Sequence, residues 1–199
     1  MAVQGYFVFD AHKGEGLTIS HLRFGHSAIK AQYEISSGAD YVAIHHLSYL
    51  HRLAENFMGP IKEGGVLLLN VPWTTTEALD KNLSPKLKKL IAEKKVKLYA
   101  IDARSIAMQV GLRQRINNIM QACFYTLSGV LPQEQALEVL RNDIRTLYTS
   151  KGPKVLKMNY DGVDAALEAV TEIDYPESWL GAAQPDEGGP RLSLLDVRR

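Results

Sequence analysis

The chain has 199 residues, 46% of them hydrophobic and 23% charged, with Lys+Arg 23 against Asp+Glu 22 and a net charge of +1. That balance describes an ordinary globular domain and sets up no global field toward nucleic acid or an anionic membrane. Its single cysteine, Cys123, excludes an intrachain disulfide and any iron–sulfur cluster or cysteine-rich zinc site built from this chain alone.

Taken in chain order, Gln4–Asp10 (QGYFVFD) is a β-branched and aromatic run that predicts a strand. Ala11–Gly16 (AHKGEG) is a loop, in which two glycines permit close backbone approach or positive φ. Leu17–Phe24 alternates with period two and predicts a second strand; Gly25-His26-Ser27 breaks it, and Lys30–Ile35 reads as a further short extended piece. Tyr41–Ile44 is a wholly apolar strand. Leu47–Phe57 follows with helical spacing, stopped by Pro60 and Gly64-Gly65. Val66–Leu69 and Lys97–Ile101 are two more strands of the same apolar kind. Between them Ser84 and Pro85 supply the N-cap hydroxyl and first-turn proline of a helix running to about Lys94. Helical pattern resumes at Ala103 and continues through Ile116–Ser128, Gln133–Tyr148 and Asn159–Thr171. After Trp179 too little apolar surface remains to offset the entropy of ordering the chain, so residues 180–199 are expected to form a linker or flexible tail on a domain spanning 1–179.

Strands without alternation need apolar cover on both faces, and here they recur with helices between them. The predicted fold class is therefore α/β, a mostly parallel sheet flanked by helices in three Rossmann-like layers, with a helical C-terminal half. No apolar run approaches the roughly 20 residues of a membrane-spanning helix, and Met1–Asp10 lacks the signature of a signal peptide. A cytoplasmic location is expected, with no membrane or nucleic-acid partner.

In open parallel sheets, ligands bind beyond the carboxyl ends of the strands. The polar residues there are Asp10–Gly16, His45-His46, Asn70 and Asp102. The loop amides around Gly14, together with Lys13, could hold phosphate oxygens; a solvent-exposed turn is the alternative. His45 and His46 are adjacent, so in a strand they point to opposite faces, and His51 falls five positions on, with no acid or thiol nearby. No metal site is expected; one of the pair could serve as a helix-entry or ligand hydrogen-bonder. Cys123 reads as a buried core thiol, and Lys86–Lys97 as a solvated basic helix face. Arg115, Asn118 and Gln121 recur at i, i+3 and i+6 and could form an inter-domain or ligand surface, or a plain exposed face.

Several stretches in order resemble one family, the pyruvate:ferredoxin (flavodoxin) oxidoreductases, in the domain equivalent to the gamma subunit of the 2-oxoacid:ferredoxin oxidoreductases. They are QGYFVFD (Gln4–Asp10), TISHLRFG (Thr18–Gly25), His45 with Ser48–Leu50, GGVLLLNVP (Gly64–Pro72), YAIDA (Tyr99–Ala103), GLRQRINNIMQACFYTLSGVLP (Gly111–Pro132) and VLKMNYDGVDAAL (Val155–Leu167). The resemblance implies an electron-transport enzyme that decarboxylates pyruvate with coenzyme A to acetyl-CoA and CO2, passing electrons to ferredoxin or flavodoxin. It implies thiamine diphosphate, Mg and [4Fe–4S] clusters in the whole enzyme, none of them bound by this chain, which would be inactive alone and carry no catalytic residue. Its implied role is coenzyme A docking, at the loop positions His12 and Lys13, and contact with the other domains or subunits; Gly14 and Asn70, from their places beyond strand ends, are further candidate coenzyme A contacts, and His45, Arg115, Asn118 and Gln121 a candidate inter-domain or ligand face. In the family pattern the loop after the first strand bears two lysines; Lys13 keeps that pattern and His12 departs from it, while Glu15 adds a negative charge. The family's first β–α unit, with its glycine-rich turn, has no counterpart before Gln4, which implies an exposed strand edge. A stand-alone adenine-nucleotide or coenzyme A binder, and a purely structural module, are the alternatives.

Overall fold

The computed structural model of the chain describes residues 1–9, 18–31, 34–50 and 58–182. Strands β1 (Ala2–Phe9) and β2 (Thr18–Gly25) form an antiparallel hairpin in register from Ala2↔Gly25 to Phe9↔Thr18. The hairpin is a separate two-stranded sheet. This corrects the grouping of Asp10–Gly16 with the ends of parallel strands, because β1 is not one of them. Residues directly opposite share a face. One face carries Val3, Phe7 and Leu22, which stay exposed. On the other, the Gln4 amide donates to the Ala31 carbonyl (2.8 Å) and accepts from Arg23 (2.7 Å), while the Ile35 amide donates to His21 Nδ1 (3.1 Å). The described part of 30–35 contains no strand, because its polar contacts go to side chains of the hairpin rather than to a strand ladder.

The main sheet has the order β3-β4-β5-β6. Strands β3 (Ala39–Ile44), β4 (Ile61–Asn70) and β5 (Lys97–Ile101) are parallel, and β6 (Thr171–Ile173) runs antiparallel beside β5. Leu67, Leu68 and Leu69 of β4 have no exposed surface. Their side chains alternate between two cores, one on each face of the sheet. Burying each contributes roughly 1.5–3 kcal/mol, which is why the run needs no polar positions. Helices α1 (Thr76–Asn82) and α2 (Pro85–Glu93) cover one face through Leu79, Leu87 and Ile91. Helices α3 (Ala103–Gln109), α4 (Asn117–Ser128), α5 (Gln133–Tyr148) and α6 (Pro153–Ala169) build the other around Ile106, Ile119, Leu140 and Val163. Three layers result, as the pattern predicted.

Three boundaries differ from the sequence reading. Gly64-Gly65 does not stop a helix; it lies inside β4, where the ladder to β3 shifts register between Ala39 and Tyr41. A Cβ on Gly65 would stand 2.8 Å from Ile61 Cγ1 and 3.0 Å from the Lys62 carbonyl, so the bulge requires glycine there. Helix α6 begins at Pro153, six residues before the expected Asn159, with Gly152 before it and proline in its first turn. The C-terminal half is helical as predicted, but its last helix ends at Ala169 rather than Thr171, and Thr171–Ile173 supplies a short antiparallel edge strand.

Helix α2 opens as predicted, the Ser84 hydroxyl accepting from the Leu87 amide at 3.1 Å. Just past its end, Lys94 Nζ donates to the carbonyls of Met58, Gly59 and Ile61 at 2.7, 2.9 and 2.7 Å, tying the helix to the start of β4. Trp179 is 2% exposed, stacks on Tyr175 and donates from Nε1 to Asp80 at 2.8 Å.

Candidate functional site

The parallel strands β3, β4 and β5 end side by side, with Asn70 the last residue of β4 and His45 and Asp102 just past the ends of β3 and β5. Their ends, with Val71, Arg104 and Ser105, line a cleft of about 250 Å³. Asn70 is 8% exposed and both ends of its carboxamide are engaged. Nδ2 donates to the His45 carbonyl at 2.8 Å, and Oδ1 accepts from the Ala103 amide at 3.0 Å. Asn70 therefore fixes the wall of the cleft, joining the end of β3 to the start of α3. Asp102 caps α3: one carboxylate oxygen accepts from the Ser105 amide (3.0 Å) and the other from its hydroxyl (2.6 Å).

His45 lies on the rim, and crowding by the protein holds its imidazole pKa below the ordinary value. His46 plays a different part. Its Nδ1 accepts from the Ser48 amide at 3.2 Å and meets the Ser48 hydroxyl at 2.8 Å, and its carbonyl accepts from the Tyr49 amide. His46 is thus the hydrogen-bonder at the entry to the helical turn 47–50. Among the described residues, no group of three or more His, Cys, Asp or Glu stands where it could hold a metal ion. None of their helices is long and apolar enough to cross a membrane.

A second cleft, of about 390 Å³, adjoins the first and shares Arg104 and Ser105 with it; Met108, Gln109, Arg113 and Gln114 complete its lining. Its shape comes from the end of α3. Gly111 has φ 87°, the Leu112 amide donates to the Ala107 carbonyl at 2.8 Å, and the Gly111 amide to the Met108 carbonyl at 3.2 Å. This is a Schellman ending, which folds the chain back along the helix. A Cβ at Gly111 would meet Met158 Sδ at 2.8 Å. Arg113 follows with φ 60°, a left-handed conformation that costs a non-glycine residue about 1–2 kcal/mol.

His12, Lys13 and Gly14 lie outside the described residues. Of the others singled out, Asn70 and His45 share the first cleft, and Arg115 is exposed beyond the Schellman turn. Gln121 is half-buried on α4. Asn118 is buried rather than on an open face: its Nδ2 donates to Asn159 Oδ1 at 2.7 Å, an amide pair between α4 and α6. Cys123 is fully buried, and burial pushes its thiol up to about 12. The sequence reading missed Arg104 and Arg113. The adjacent glycine at 111, a helix-ending signal, was the clue that could have placed Arg113 beside α3.

Comparison with known proteins gives a consistent set of likenesses. A family model described as pyruvate ferredoxin/flavodoxin oxidoreductase matches residues 1–169. A pyruvate:ferredoxin oxidoreductase of Moorella thermoacetica is 46% identical over 182 residues, 92% of this chain and 15% of that one. A pyruvate dehydrogenase [NADP(+)] of Cryptosporidium parvum is 42% identical over 181 residues, 90% of this chain and 9% of that one. The chain thus spans a small part of these relatives. The crystal structure of pyruvate oxidoreductase subunit PORC from Thermotoga maritima shares the fold, with a TM-score of 0.59 and 21% identity over 85% of this chain and 80% of that one.

Proposed function

The chain belongs to the pyruvate ferredoxin/flavodoxin oxidoreductase family, and we propose that it serves as the coenzyme A-docking and inter-domain module of a pyruvate:ferredoxin or flavodoxin oxidoreductase. The observation that carries this reading is the match of one family model to residues 1–169, joined by 46% identity to a pyruvate:ferredoxin oxidoreductase. These 199 residues do not themselves supply the remaining machinery of that reaction. Iron–sulfur clusters need several thiolates, and Cys123, the chain's one cysteine, is buried and held protonated. The residues present therefore do not fit a cluster. No thiamine-binding Gly-Asp-Gly motif occurs in the sequence either, so no step of the decarboxylation is assigned to this chain's side chains.

Lys13 is the residue proposed to meet coenzyme A phosphate oxygens, as a point charge with three donors. His12 and Gly14 flank it. The cleft beside His45 and Asn70 is a rigid wall on which the rest of the ligand or a neighbouring domain could rest. The test is reconstitution: supply the remaining domains with pyruvate and a viologen dye, and measure reduction as coenzyme A is varied. The expected result is a rate that requires this chain and a Lys13→Ala variant that raises KM for coenzyme A about tenfold with a smaller change in kcat. A rate independent of the chain sinks the proposal. A purely structural role gives a Lys13→Ala enzyme with unchanged KM.

A further inference from the structure

The cleft folded back along α3 is lined by charge of one sign. Two of its six lining residues, Arg104 and Arg113, are cations, and none is an acid. The one acid beside it, Asp102, has both carboxylate oxygens engaged by Ser105. Several other cations find partners: Lys62 pairs with Asp40, Lys88 with Asp80, Lys95 with Glu63, Arg141 with Asp164 and Lys157 with Asp161. Among the described residues, Arg104 and Arg113 make no ion pair or side-chain hydrogen bond. Arg113 also occupies a left-handed backbone position, where glycine would sit without strain.

Two planar guanidinium groups over one concavity match the oxygens of a phosphate, which they can grip by paired N–H donors. The walls add an exposed methionine, Met108, for an apolar or aromatic surface, and the amides of Gln109 and Gln114. A volume of about 390 Å³ falls in the range of small-molecule sites. Because Arg104 and Ser105 also line the cleft at the strand ends, one extended ligand can occupy both.

We infer that Arg104 and Arg113 form a phosphate subsite for the nucleotide end of a ligand that extends along the carboxyl edge of the sheet. The inference rests on the coenzyme A reading for the identity of that ligand, but not for the site itself.

The experiment is calorimetric titration of the full chain, alone and in the reconstituted enzyme, with adenosine 3′,5′-bisphosphate and separately with coenzyme A. The variants are Arg104→Gln, Arg113→Gly and the two together; Arg113→Gly relieves the left-handed strain, so it keeps the fold, which circular dichroism checks. The expected result is bisphosphate binding that weakens about tenfold in each single variant and vanishes in the double variant. Affinity should also fall as salt is raised. Coenzyme A should weaken in parallel. Equal bisphosphate affinity in wild type and double variant overturns the subsite, as does no bisphosphate binding by the wild type in either form. Coenzyme A binding that depends on Lys13 but not on the arginines overturns the subsite while leaving the coenzyme A reading intact. Bisphosphate binding through the arginines with no coenzyme A binding does the reverse.

Discussion

Asn70 illustrates how one carboxamide can decide the shape of a site. Its two hydrogen bonds satisfy a strand-end carbonyl and a helix-start amide, which would otherwise be partly desolvated without partners. Replacing it by leucine of similar size should cost about 2–3 kcal/mol, read as a lowered urea midpoint with unchanged m-value. An unchanged midpoint would show that the clamp contributes nothing. The sequence placed Asn70 correctly at a strand end but not its engagement. Which groups it bonds depends on how β3, β4 and α3 converge, and those residues are 25 and 33 positions away. Cys123 was legible from its apolar neighbours. With its thiol pushed up to about 12, it should resist an alkylating reagent at pH 8 in the native chain and react promptly in denaturant.

Two imidazoles give the chain a pH dependence. Burial is the leading cause that lowers the pKa of both His45 and His21; at His21, Arg23 lowers it further and Glu34 raises it. A lowered folded pKa means that the unfolded chain binds the proton more readily. Stability is then complete above the ordinary histidine range and declines as pH falls through it toward the lowered values. Thermal unfolding should occur at lower temperature at about pH 5.5 than at about pH 7.5, and the difference should shrink in a His21→Gln, His45→Gln chain.

At the scale of elements, local chemistry was a good guide where a boundary is made locally. Ser84-Pro85 gave α2 its start, and Lys97–Ile101 was read as the strand it is. It misled at Gly64-Gly65. Two glycines normally punctuate, but here close approach of Ala39, Lys62 and Ile61 selects Gly65, and a positive φ of 69° favours Gly64, inside a strand. That approach is a tertiary fact. The three-residue strand β6 was invisible for a related reason, since Thr171–Ile173 is too short for a period and becomes a strand only by pairing with β5. The Schellman ending of α3 makes a sharp prediction. Gly111→Ala brings a left-handed alanine and a Cβ against Met158 Sδ, so it should destabilise by about 2 kcal/mol and disturb the neighbouring cleft. Arg113→Gly, two residues later, should stabilise or be neutral. The opposite order in chemical denaturation would contradict the geometry.

Across the whole molecule, the layers follow from apolar runs that demand cover on both sides. Their identity as two separate cores on opposite faces was predictable from the sequence; the residues that close them were not. Trp179 fills the far end of one core and bonds Asp80, 99 positions earlier. Trp179→Ala should cost about 3–5 kcal/mol, visible in the melting temperature. The exposed ends of the two clefts, with Arg104 and Arg113, were missed because a helix that turns back on itself leaves no periodic trace.

Among the described residues, the hairpin of β1 and β2 supplies none to either core. One of its faces leaves Val3, Phe7 and Leu22 in water, and Phe24 touches the main body through Phe124, ring centres 5.8 Å apart. An isolated two-stranded ribbon is marginal in water. It should therefore open without disturbing the central leucines, so its amides will trade protons for deuterons long before those of Leu67–Leu69. The segment bearing Lys13 joins these two strands, so isotope uptake there reports how firmly the ribbon is anchored, independently of whether the sheet behind it is intact.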